Sequence, residues 1–189
     1  MKKLTWTLAA LVTTAMVASA QDQPVRPELR PFVGMSIPTG DQRDLFDDAA
    51  MLGLQGALEL RPSFHLLGSF GWTAGQTKYA VLKDHVQIFQ YDVGLELNMV
   101  RQLGQSWLFK PFVGLGGGAR TYLYEDANLK NRTCAAGYGA LGAELQFDRT
   151  AIRLEGRDNV FCFRSALPDI KSKTRNDVGL SLGLAYHLR

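Results

Sequence analysis

Beyond its first twenty residues the 189-residue chain has no apolar run near the length of a membrane-spanning helix, which excludes a helical membrane protein. Cysteine is scarce: Cys134 and Cys162 are the only two, so there is one bridge at most. The three histidines, His65, His85 and His187, are too few and too scattered along the chain to spell a metal motif. An excess of charge of one sign is also missing. The 21 Lys+Arg face 18 Asp+Glu, and discounting Lys2 and Lys3 of the leader leaves 19 against 18. No basic footprint for nucleic acid survives, and no Pro- or Ser-rich linker divides what reads as one domain.

The leader sets the compartment. Met1-Lys2-Lys3 is basic, Leu4 to Val17 is apolar and threonine-rich, and Ala18-Ser19-Ala20 is a small-x-small cleavage site. Residues 1–20 are therefore expected to be a secretory signal peptide, with 21–28 a short periplasmic segment and 29–189 the folded domain.

What the mature chain has in abundance is alternation. In Val178 to Leu188 the even positions are Val178, Leu180, Leu182, Leu184, Tyr186 and Leu188, set against Gly179, Ser181, Gly183, Ala185 and His187. One face is apolar and the other is small or polar, over a length that crosses a bilayer as a strand. The pattern recurs over Leu29–Ile37, Leu52–Leu60, Phe64–Trp72, Phe89–Met99, Trp107–Leu115, Ala140–Phe147 and Ile152–Arg157. That makes eight strands, joined alternately by three short turns and four longer polar loops. A membrane protein without hydrophobic runs has to be a closed barrel, because lipid offers no partner to a free backbone group. Short turns on one side, long loops on the other and an even strand number are the rules of outer-membrane barrels. The fold expected is an all-β, eight-stranded antiparallel up-and-down transmembrane barrel.

The polar face carries Glu59, Asp92, Glu96, Lys110, Arg120, Glu144, Arg153, Glu155 and Arg157. A soluble lipocalin-like barrel would turn its apolar face inward, so these charges argue for the inverse arrangement. Eight strands leave little lumen, and the nine are expected to interlock as an ion-paired plug. Aromatics fall where interfacial girdles belong: Phe64 and Trp107 near turns, Trp72, Phe89 and Tyr91 towards loops, and Tyr186 near the C-terminus.

An internal echo links Arg30-Pro31-Phe32-Val33-Gly34-Met35 to Lys110-Pro111-Phe112-Val113-Gly114-Leu115, opening the first and fifth strands. With Tyr91-Asp92-Val93-Gly94-Leu95 and the closing Gly183-Leu184-Ala185-Tyr186, these openings resemble the small outer-membrane β-barrels of the OmpA-like transmembrane domain and OmpX, over essentially the whole mature chain. The resemblance implies residence in the bacterial outer membrane and insertion by the assembly machinery through the last strand. Members usually end on an aromatic residue; this chain ends Tyr186-His187-Leu188-Arg189.

Four features bear on chemistry. Folding about Asp148-Arg149 brings Cys134 and Cys162 to nearly one level, and export meets oxidising conditions, so a disulfide stapling the extracellular end is expected. It would contribute on the order of 3 kcal/mol. Strict alternation puts the two on opposite faces, so the bridge requires a bulge or loop residues. Gly114 to Gly118, apart from Leu115, is all glycine, yet it lacks the helix and lysine of a phosphate loop and reads as barrel curvature. Asp84-His85 at a loop-side rim has no serine nearby to make an acyl-transfer pair. Asn131-Arg132-Thr133 is a glycosylation sequon without meaning in a bacterial outer membrane. The expectation is a monomeric, non-enzymatic barrel without cofactor, in contact with outer-membrane lipid, with a structural or surface-interaction role and a possible extracellular ligand at its loops. A narrow pore for small solutes and a lipid-modifying enzyme are the alternatives.

Overall fold

The structure is a computed structural model. It describes residues 26–44, 46–61, 63–76, 78, 85–104, 106–124, 131–163 and 173–188. The signal peptide, most of the 21–28 segment, Asp84 and Arg189 lie outside the described residues.

Among the described residues nine strands follow in chain order: β1 (Arg26–Pro38), β2 (Ala49–Arg61), β3 (Phe64–Gln76), β4 (His85–Asn98), β5 (Arg101–Leu103), β6 (Trp107–Tyr124), β7 (Arg132–Phe147), β8 (Thr150–Phe163) and β9 (Lys173–His187). All pairings are antiparallel, each long strand with its chain neighbours, and β4–β6 and β1–β9 complete the ring. Eight long strands thus form a closed barrel. The ninth, β5, is a three-residue flap that folds the connection before Trp107 back onto β6. Closure removes both edges, which is the condition for a sheet to sit in lipid.

The closing seam pairs Leu29 with Tyr186 and Ile37 with Val178, as the alternation of the last strand requires. Strand ends move outward from the sequence expectation. β1 starts at Arg26, so Arg26, Pro27 and Glu28 belong to the barrel, and β6 to β9 run several residues into stretches that read as loop. The reason is that ladder hydrogen bonds continue past the last apolar position; periodicity marks only the part of a strand that meets lipid. The β7–β8 turn is two residues, with Asp148 at φ 53, a left-handed conformation that an Asp side chain tolerates better than most.

Facing decides the environment. Leu141 is 68% exposed, Leu115 67% and Leu184 63%, whereas Glu96 is 1% and Arg30 2%. A soluble protein has the opposite distribution, so this exterior is built for a hydrocarbon surround and the lipocalin-like alternative fails. At the loop end the interior does become apolar. Phe46, from the β1–β2 connection, caps a small cluster with Val86, Tyr122, Cys134 and Phe161.

Candidate functional site

The interior is the site, and it is assembled by alternation: each strand turns every second side chain inward, and eight strands stack these into layers. The layers meet because neighbouring strands present glycine where a ring has to lie. Phe32 sits in register with Gly53 and Phe112 with Gly142, one pair for each copy of the sequence echo. A Cβ at Gly53 would collide with the Phe32 ring and one at Gly142 would stand 2.5 Å from the Phe112 ring, so the two aromatics fill space that any side chain would close.

Around these rings runs a continuous ionic network. Arg30 on β1 donates from Nη1 to Glu96 Oε1 on β4 at 3.2 Å, to Gln55 Oε1 at 3.2 Å, and from Nη2 to Glu28 Oε2 at 2.5 Å. Arg153 on β8 pairs with Glu96 from a second side, and with Glu155 at 2.8 Å and Glu144 at 3.7 Å. Glu144 also faces Lys110 at 3.7 Å. Arg157 joins Glu155 at 2.8 Å to Asp92 at 3.0 Å. Arg120 on β6 pairs with Asp177 on β9 and donates to Gln90 Oε1 at 2.6 Å, while Gln90 Nε2 donates to Asp92 at 2.6 Å and Asn159 at 3.0 Å. Guanidinium planes also lie over rings: Arg153 over Phe112 at 3.5 Å, Arg157 over Tyr138 at 4.0 Å and Arg120 over Phe161 at 4.6 Å. Buried charges at this density are tolerable only because nearly every donor has an acceptor.

Eight of the nine interior charges read from the sequence therefore meet in this network. Glu59 also faces inward but lies lower, beside Glu28 and His65. Sequence reading missed Glu28, Arg30, Asp177, Gln55, Gln90 and Asn159. Arg30 was already on the polar face of its strand; the missing signal was a partner, since Glu96 is 66 positions away. The links Arg30–Glu96, Arg157–Asp92 and Arg120–Asp177 run between strands that are not neighbours in the ring, so they are chords across the lumen. The cavity left among them is ≈ 30 Å³, lined by Arg30, Phe32, Gln55, Asp92 and Arg153 among others. That is room for about two waters.

The six aromatics assigned to girdles all lie on outward positions of their strands. Trp107 meets Phe147 at 5.0 Å near the turn end, where Phe64 and Tyr186 also lie, and Phe70 meets Tyr91 at 5.6 Å and Phe89 at 6.1 Å higher up. Trp72 Nε1 donates to Gln87 Oε1 at 3.4 Å.

The expected disulfide is corrected. Cys134 and Cys162 stand at nearly one level, since Ala136 pairs with Phe161, but Cys134 is buried inside the barrel and Cys162 is exposed outside it. No bulge turns either one round, so the barrel wall separates the thiols and the structure does not join them. A thiol reagent added to the folded protein in detergent is expected to label Cys162 alone, with Cys134 reacting only after boiling; mass analysis showing two fewer hydrogens and no reactive thiol would contradict this. The Gly114–Gly118 run lies inside β6, as curvature and not as an anion cradle. The Asp84-His85 pairing falls on residues whose side chains are outside those described.

No family model matches the chain, and no curated protein sequence matches it. Solved structures do. Neisserial surface protein A (NspA) superposes with a TM-score of 0.66 at 7% identity, over 85% of this chain and 96% of that one. Ail, the attachment invasion locus protein of Yersinia pestis, gives 0.53 at 14% identity, over 88% of this chain and 100% of that one. At such identities the likeness is one of fold, and it agrees with strand count, closure and the inverted polarity of the wall. The chain has the fold of the small eight-stranded outer-membrane β-barrels.

Proposed function

We propose that the chain is a monomeric integral protein of the bacterial outer membrane whose barrel is a filled, non-conducting anchor, and whose work is done by the loop-side connections it displays to the outside. The observation that carries this reading is the lumen: ionic chords cross it and leave a cavity for about two waters. A conducting pore needs a continuous wet path, and opening one here would separate buried ion pairs at a cost of several kcal/mol each. A filled barrel with displayed loops suits a surface protein or an attachment protein, which is how the two superposing structures are named. The reading gives the interior charges a structural role, assigns no catalytic chemistry, and makes lipid and the outer-membrane assembly machinery the chain's general partners.

Two measurements test it. Purified protein in planar bilayers is expected to give no reproducible single-channel steps; regular steps would move the reading to a narrow pore. An epitope inserted at 164–172 is expected to be accessible on intact cells, and accessibility only after permeabilisation would overturn surface display.

A further inference from the structure

The closing seam ends in a histidine that faces only acceptors. His187, the last residue of β9, is the register partner of Glu28 on β1. It follows the girdle residue Tyr186, so it stands at the aqueous turn end of the wall. Its ring Nε2 lies 2.9 Å from Glu28 Oε1, and apart from that carboxylate it meets no hydrogen-bonding group among the described residues. Its Nδ1 lies 3.2 Å from the carbonyl oxygen of Arg149, in the β7–β8 turn. A carbonyl oxygen and a carboxylate oxygen only accept. A neutral imidazole has a single N–H and would turn a lone pair on one of the two, so both contacts are satisfied only by the doubly protonated, charged ring.

The charges of the lumen require the same proton. Among the described residues the connected network holds five acids, Glu28, Asp92, Glu96, Glu144 and Glu155, against four cations, Arg30, Lys110, Arg153 and Arg157. Glu28 ends this chain of pairs. Arg30 occupies its Oε2, from Nε at 2.9 Å and from Nη2 at 2.5 Å, and leaves Oε1 to the imidazoles. His65 Nε2 on β3 is 3.6 Å from Oε1, beyond a hydrogen bond, which makes His187 the fifth cation. Glu59 on β2 lies beside Glu28 and His65 and adds negative charge to this end. Lys110 on β6 opposes the charge on the ring, but its amine faces Glu144 at 3.7 Å. Arg26, at the start of β1, is exposed. The Glu28 side chain is 1% exposed and that of His187 15%, so the carboxylate has no water to replace its partner while the ring can exchange a proton with solvent.

We propose that protonated His187 is a clamp on the seam between the first and last strands, closed in acid and released as the pH rises, which makes barrel closure responsive to the acidity of the surrounding medium. The hydrogen bond to Glu28 holds the proton on the ring to a higher pH than the ordinary imidazole value. The folded chain therefore keeps a proton that the unfolded chain gives up at about pH 6.5. The stabilisation is complete below that pH and is lost as the pH rises through the folded value. The seam is sensitive to such a loss because β1 and β9 are joined by no turn. The last backbone bond across it, from Leu188 N to the Pro27 carbonyl at 2.9 Å, lies next to the clamp. The proposal rests on the closed seam alone and stands whether or not the loops act as proposed above.

The test uses the folded protein in detergent. Raising the pH from about 6 to about 9 is expected to lower the midpoint temperature of the unboiled-to-boiled band shift by about 5 °C. H187Q is expected to lose at least about half of this dependence and to melt near the parent's alkaline midpoint throughout. H187K keeps a cation on the seam at both pH values, and it is expected to hold its acid midpoint at alkaline pH. H65Q is expected to keep the parent's slope. Nitrogen NMR of the parent at about pH 6 is expected to find a hydrogen on both ring nitrogens of His187. A slope as steep as the parent's in H187Q, or a slope lost in H65Q, would overturn the clamp. If H187Q does not fold, the parent's slope persisting in H187K overturns it equally, as does a bare ring nitrogen on His187 in acid.

Discussion

Replacing Glu96 by alanine is expected to lower the unfolding free energy of the barrel by about 3–5 kcal/mol, the largest single effect among the interior charges. Glu96 is 1% exposed and takes Arg30 from one side of the lumen and Arg153 from the other. Its removal strands two guanidinium groups that no water reaches in numbers. Each keeps part of its company: Arg30 retains Glu28 and Gln55, and Arg153 retains Glu155. Desolvation was tolerable for the set because four acids surrounded these two cations, and one fewer leaves the remaining pairs unable to neutralise them. Glu96→Gln keeps the shape and one acceptor, so about half the loss is expected. The measurement is the urea midpoint of the folded, fast-migrating band in detergent. A midpoint within about 0.5 kcal/mol of the parent for Glu96→Ala would show that the network fills the lumen without holding it together.

The second large effect is steric. Gly142→Val is expected to prevent closure, leaving no heat-modifiable band, because its Cβ would meet the Leu154 carbonyl oxygen and the Phe112 ring together. The carbonyl belongs to the adjoining ladder and cannot rotate away. The ring is fixed in turn beneath the Arg153 guanidinium. Overpacking at a site where both neighbours are fixed costs at least about 3 kcal/mol. Gly139 and Gly68 make the comparison sharp, since a Cβ at either finds nothing within 4 Å. Gly139→Val and Gly68→Val are expected to fold as the parent does. Equal behaviour of all three variants would mean that the Phe112–Gly142 contact does not constrain the barrel.

These two effects arise at different levels of legibility. The alternation Trp107, Phe109, Pro111, Val113, Leu115 already marked Phe112 and its neighbours as interior, and the repeated Pro-Phe-Val-Gly openings marked the two aromatics as equivalent. Which glycine each ring would cover was not legible, because Gly53 and Gly142 are among 19 glycines and only register selects them. The same holds for the surroundings of Glu28. His65 and His187 read as scattered until closure set β9 beside β1 and brought both imidazoles against the Glu28 carboxylate. The cysteines show the reverse. Their levels were read correctly, and period-two alternation already placed them on opposite faces, so the structure corrects only the assumption that a local bulge would reunite them.

What the sequence determined by itself was the wall: eight amphipathic strands, their order, nine of the inward charges and the pairing of the last strand with the first. A strand's facing is a local property with a period of two, so it is written in consecutive residues. What only the tertiary structure decided was the contents: that Arg30 and Arg153 share Glu96, that the cavity between Arg30, Asp92 and Arg153 keeps room for about two waters, that two imidazoles converge on Glu28, and that a wall stands between the thiols. Those contacts span up to 159 positions of chain, as from Glu28 to His187. They depend on the register with which a ring of eight strands closes, and no local pattern carries that information.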